Sequence, residues 1–212
     1  MTEPVVLYYN PNSRARVVHW LLEEIGVPYR IELLRFDQQQ HKRPEYLRLN
    51  PMGKVPCIVD HHTVVTECGA ICVYLADNYP RAQLAPALHD PARASYLRWL
   101  FFAAGCLEPA LVDRMFQRSA VPPSSIGYGS YEDVLNAIEL ALTPGPYILG
   151  DRFSAADVYL GSELVWGSMT KALEPRARFT EYAERLAERP AFKRFSAQNR
   201  TLSAQLSRES AA

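Results

Sequence analysis

Past Tyr79 the chain stops alternating between strand and helix signals, and that change of pattern constrains the fold more than any other feature. Before it, residues 4–9 (PVVLYY) read as a strand, ended by the turn chemistry of Asn10, Pro11 and Asn12. From Ser13 onward Val17, Val18, Leu21, Leu22 and Ile25 fall at helical spacing, and Gly26 supplies the stop. Residues 29–34 read as a second strand, and FDQQQHKRPEY as a loop with a short helix ending near Asn50. KVPCIVD has a strand pattern, His61 and His62 make a turn, residues 63–65 a short strand and residues 67–78 a helix. The order βαβ, then α, then ββα predicts an α/β layer around a mixed sheet.

The stretch PRAQLAPALHDP carries three prolines and no periodicity, and reads as a linker. Beyond it only helical patterns follow, over roughly 90–119, 127–142, 154–169 and 178–199. The expected division is therefore an α/β domain over 1–80, a linker over 81–89 and an all-helical domain over 90–212. A cleft between two packed units is the natural place for a ligand. The last dozen residues carry little pattern and are expected to fray.

Composition narrows the function classes. Lys plus Arg and Asp plus Glu both number 23, so no net field gathers nucleic acid or an anionic membrane surface. No apolar run approaches the ~20 residues that cross a bilayer, and MTEPVVLYYNP lacks the basic start and cleavage pattern of a signal peptide. Cys57, Cys68, Cys72 and Cys106 have neither C-x-x-C nor zinc-type spacing. These features predict a cytoplasmic protein with free thiols and no metal, membrane or nucleic-acid partner.

Three motifs, in this order and at these distances, resemble the cytosolic glutathione transferase superfamily over about residues 4–200: NPMGKVPCIVD at 50–60, TECGAICVYLAD at 66–77 and FSAADVYL at 153–160. The resemblance implies a thioredoxin-like N-terminal domain, an all-α C-terminal domain, glutathione as co-substrate, a small hydrophobic electrophile as second substrate, and a homodimer.

Each motif also has a physical reading. A cis Val55–Pro56 bond turns the N–H and C=O of Val55 away from the sheet, where they can pair with the backbone of a tripeptide. Glu67 and Cys68 open a helix whose unsatisfied N–H groups suit a carboxylate, with Glu67 accepting from an amino group. Cys68 stands where the family usually has Ser. Ser154 and Asp157 have the spacing of a capping box, a structural motif. By family position His41 and Lys54 are candidates for the glycyl carboxylate.

In this family a residue after the first strand donates to the glutathione sulfur. Ser13 is the first candidate and Asn10 and Asn12 are alternatives, while Tyr8 and Tyr9 are assigned to the strand, one facing the core. Tyr96, Trp99, Phe102, Met115 and Phe116 are candidates for the electrophile pocket, although such a cluster at helical spacing is more often core. Conjugation to hydrophobic electrophiles, with peroxide reduction, is the leading reading. A glutathione-dependent isomerase, dehalogenase or disulfide reductase, or a non-catalytic binding module, are the competing ones.

Overall fold

The computed structural model describes residues 3–119 and 121–211. Strand β1 (Val5–Tyr9) alternates: Val5, Leu7 and Tyr9 are fully buried, while Val6 and Tyr8 are half-buried on the opposite face. Helix α1 (Ala15–Ile25) crosses back to β2 (Tyr29–Leu33), which pairs parallel to β1 from Val5↔Tyr29 to Tyr9↔Leu33. Gly26, at φ +74°, donates its N–H to Leu22 O at 2.9 Å, so the helix stops where a left-handed residue is needed. A 3₁₀ turn (Gln40–Lys42) and the short α2 (Pro44–Leu47) lead to β3 (Cys57–Asp60), antiparallel to β1. Then come β4 (Thr63–Thr66), antiparallel to β3, and α3 (Cys68–Asn78). The sheet order is β2-β1-β3-β4, the mixed sheet that the pattern predicts.

The helical part differs from expectation where prolines interrupt the pattern. The segment expected to be one helix over 90–119 consists of α4 (Ala92–Phe102), one π turn (Ala103–Leu107) and α5 (Glu108–Met115). Pro109 explains the widened turn: it has no N–H to give, and in a regular helix its ring collides with the carbonyl four residues earlier. Next, α6 (Tyr131–Ala141) begins at Ser130, whose hydroxyl accepts the Asp133 N–H at 3.1 Å, and α7 (Ala155–Met169) begins at the Ser154 capping box. The segment expected to be one helix over 178–199 is two, α8 (Ala177–Ala187) and α9 (Pro190–Ala211). Pro190 suits a first helical position and not an interior one.

Contacts divide the chain into two compact units: residues through Ala82 together with those from Arg189 onward, and Gln83–Glu188. The last helix therefore belongs with the sheet, not with the other helices. Arg189 grips Glu24 of α1 through two bonds of 2.7 and 2.8 Å, and Trp20 Nε1 donates to the same carboxylate at 2.9 Å. The Tyr9 hydroxyl donates to Asn199 Oδ1. Helix α9 extends to Ala211, with Leu206 buried and Glu209 paired to Arg35 at 3.2 Å.

The Gln83–Glu188 unit has its own core, in which Tyr96, Trp99, Leu135, Leu160 and Tyr182 are almost wholly buried. Asp157, also fully buried, ties this unit together. It accepts from Ile148 N–H (2.8 Å), Ser154 N–H (2.8 Å), Ser154 Oγ (3.0 Å) and Tyr182 Oη (2.9 Å).

Candidate functional site

Strand register gathers the candidate residues at one edge of the sheet-bearing unit. Tyr8 pairs with Cys57, and Cys57 pairs with Thr66, so the end of β1, the Val55–Pro56 step and Glu67 are neighbours. The start of α3 meets the start of α1, where Cys68 Sγ lies 3.7 Å from Arg14 O.

The turn after β1 is built by Asn10. Its side chain is 4% exposed, donates from Nδ2 to Leu34 O at 2.8 Å, and accepts the Asn12 N–H at 3.0 Å. The Asn10 carbonyl accepts both the Ser13 N–H (3.1 Å) and the Ser13 hydroxyl (2.7 Å). Ser13 Oγ in turn accepts the Ala15 N–H at 3.2 Å. Ser13 is thus placed at the positive end of α1, with its single proton engaged in the turn. Asn12 is exposed. Asn10 acts as a brace for the turn, and its amide is occupied at both ends.

The segment before β3 is held as tightly. Asn50, 2% exposed, donates to Lys54 O at 2.8 Å and accepts the Met52 N–H at 3.1 Å, and the Tyr46 hydroxyl donates to the same Lys54 carbonyl. Gly53 is buried at φ +59°, and a Cβ there would lie 2.7 Å from His41 O and from Lys42 Nζ. The loop therefore has one shape, and it presents Val55. The Val55–Pro56 bond is cis, as the motif implied. Because the ladder begins at Cys57, the Val55 N–H and C=O are not hydrogen-bonded among the described residues. Tyr46 and Asn50 were missed as site-building residues; Asn50 heads the recognised motif, but nothing in sequence says which carbonyl it holds.

Glu67 caps α3 without a side-chain bond and sits at φ +69°, ψ 124°, an uncommon conformation for a residue with a Cβ. Its carboxylate is exposed, beside first-turn N–H groups that have no intrahelical acceptor. Cys68 is 7% exposed. His41 stacks edge-on to Phe36 at 4.8 Å, and its buried Nδ1 has no hydrogen-bond partner among the described residues. Burial, then the charges of Lys42 and Lys54, push its basicity down. These cations make this corner attractive to a carboxylate.

The proposed pocket aromatics differ in burial. Tyr96 is fully buried and Trp99 is 2% exposed, so both are core, as helical spacing more often means. Phe102 leans on Trp99 at 5.1 Å, whereas Met115 and Phe116, 41% and 65% exposed, lie at the end of α5. Of the two strand tyrosines, Tyr9 faces the core. Tyr8 packs against Tyr46 at 5.3 Å, and its hydroxyl makes no hydrogen bond among the described residues.

A mixed sheet with a cis-proline loop beside the open end of α3, followed by a helical region, defines a thioredoxin-like domain of the glutathione-binding type. Residues 3–77 match the family model "Glutathione S-transferase, N-terminal domain". The chain is 30% identical over 172 residues to glutathione S-transferase 3 of Schizosaccharomyces pombe, covering 72% of this chain and 70% of that one. It is 28% identical over 200 residues to the disulfide-bond oxidoreductase YfcG of Escherichia coli (strain K12), covering 87% and 91%. A glutathione transferase homologue from Sulfitobacter, solved with bound glutathione, superimposes with a TM-score of 0.74 at 27% identity, covering 92% and 98%. The chain belongs to the glutathione transferase superfamily.

Proposed function

We propose that this chain is an enzyme that binds glutathione and directs its thiolate at a hydrophobic electrophile or a peroxide. The observation that carries this reading is the unpaired backbone of Val55, held open by Asn50 and Tyr46 next to the uncapped start of α3. The residues fit the tripeptide along its length. Val55 offers one N–H and one C=O to the cysteinyl backbone, and the α3 N-terminus with Glu67 suits the γ-glutamyl carboxylate and amine. His41 and Lys54 offer cationic and donor groups to the glycyl carboxylate, with Cys68 beside the γ-glutamyl end. Bound glutathione supplies the nucleophilic sulfur.

Ser13 is the proposed donor to that sulfur. To act, its hydroxyl rotates from the Asn10 carbonyl toward the ligand, exchanging a neutral hydrogen bond for a charge-assisted one, roughly twice as strong. The field of the α1 N-terminus favours the same ionised state. The test is a pH titration of thiolate absorbance for bound glutathione in wild type and Ser13→Ala. A glutathione pKa lowered in wild type, and raised again by about one unit or more in the mutant, is expected. An equal lowering in both moves the donor to Asn12 or to Tyr8, whose hydroxyl makes no hydrogen bond among the described residues. Binding without any lowering would instead indicate a non-catalytic module.

Similarity to the disulfide-bond oxidoreductase favours a second reading, reduction of glutathione mixed disulfides at the same site. Turnover of a small mixed disulfide, but not of a chloronitrobenzene, would select it over conjugation.

Four free thiols suit a reducing cytoplasm. A homodimer is part of the same proposal: Phe101 on α4, 73% exposed, and Val64 on β4, 41% exposed, are apolar surfaces that association would cover. Sedimentation at twice the 24.0 kDa chain mass is expected, and a single-chain mass overturns it.

A further inference from the structure

His19 lies in the middle of α1 and is fully buried against α9. Its Nε2 is 3.0 Å from Tyr29 Oη and 3.0 Å from Gln198 Oε1. Tyr29 gives its own proton to Glu23 Oε1 at 2.5 Å, and the Gln198 amide nitrogen donates to the same oxygen at 3.0 Å. Both neighbours of Nε2 therefore act as acceptors, and Nε2 carries the proton of the neutral ring. Nδ1 is buried with no hydrogen-bond partner among the described residues. The rings of Tyr9, Phe195 and Tyr29 box the imidazole at 5.1, 5.2 and 5.6 Å. A proton added at Nδ1 would find no acceptor among the described residues, and a buried unmatched charge is costly.

We propose that His19 is a proton-sensitive clasp for the last helix: protonation of its ring loosens the seating of α9 on α1. The titratable and charged groups around it are Tyr9 from β1, Glu23 and Arg16 from α1, Tyr29 from β2 and Arg194 from α9. The buried titratable groups of α3, which also packs on α1, are the thiols of Cys68 and Cys72. Among the described residues the anion that favours the imidazolium is Glu23, and its carboxylate is already engaged by Tyr29, Gln198 and, at 2.6 Å, Arg194.

Burial outweighs the Gln198 hydrogen bond and the Glu23 charge, and holds His19 below the ordinary histidine value of 6.5. An undocked helix frees the ring to take up its proton near that ordinary value. Docking is therefore at full strength above pH 6.5 and weakens as pH falls toward the lowered value of the docked state.

Amide hydrogen exchange on the full chain, corrected for the intrinsic pH dependence, reads this directly over residues 195–199. In wild type, protection should fall by up to about tenfold per pH unit below 6.5. In His19→Gln, whose side-chain amide can replace the Nε2 donor, the profile should be flat. Identical profiles in the two proteins, or a flat wild-type profile, overturn the clasp. If the variant does not fold, the wild-type imidazole resonances decide: titration below 6.5 supports the clasp, and titration at or above 6.5 with α9 still protected refutes it.

Discussion

Asp157→Ala is expected to lower the unfolding free energy by about 4 kcal/mol, measured by denaturant titration, because it leaves buried donors without an acceptor. The main-chain N–H groups of Ile148 and Ser154 and the hydroxyls of Ser154 and Tyr182 all converge on this one carboxylate. Each unsatisfied buried donor costs ~1–3 kcal/mol, and partial rehydration keeps the sum below simple addition. Ser154→Ala removes only the cap hydroxyl and should cost about 1 kcal/mol. Equal small losses in both variants would show that Asp157 is an ordinary helix cap and not the point where the 147–152 loop, α7 and α8 are joined.

The second large effect should fall on binding. Glu67→Ala is expected to weaken glutathione by on the order of ten- to a hundredfold in calorimetric titration, the size of one hydrogen bond to a charged group. Stability should scarcely change, because the side chain is exposed and makes no cap bond. Glu67→Gly separates the two roles of the position. It should lose the same affinity, yet match or exceed wild-type stability, because glycine adopts φ +69° without the steric penalty that a Cβ brings. Unchanged affinity in both variants would remove the Glu67 carboxylate from the ligand site.

The parts of this fold that were legible in the sequence are those whose causes lie within a few residues. Gly26 ends α1, Ser154 and Asp157 begin α7, and the β-branched and aromatic run of residues 4–9 marks β1. Val55, Pro56 and Glu67 were singled out for a different reason: their motifs resemble those of the glutathione transferase superfamily, whereas the residues by themselves favoured an ordinary trans proline and a first-turn acid. Even there the supports stayed hidden. Nothing near Asn50 or Tyr46 in sequence says that both reach the Lys54 carbonyl.

The remaining differences share a physical origin in burial. Tyr96 and Trp99 have the helical spacing of a pocket wall and of a core stripe alike, and packing within the Gln83–Glu188 unit made them core. Ser13 follows a strand and precedes a helix, as a sulfur donor or a cap would, and only the folded turn places its hydroxyl on the Asn10 carbonyl. The sequence reading carried one helix through Pro190, where the structure breaks it, and which unit α9 joins depended on Glu24 meeting Arg189 from 165 positions away. Sequence alone determined the α/β-then-helical order and the strands and helices of the first eighty residues, because short-range sterics and hydrogen bonding act between neighbours. Tertiary structure decided where α9 packs, which polar groups are already engaged and which aromatics are sealed from solvent, because those depend on distant residues sharing one buried space.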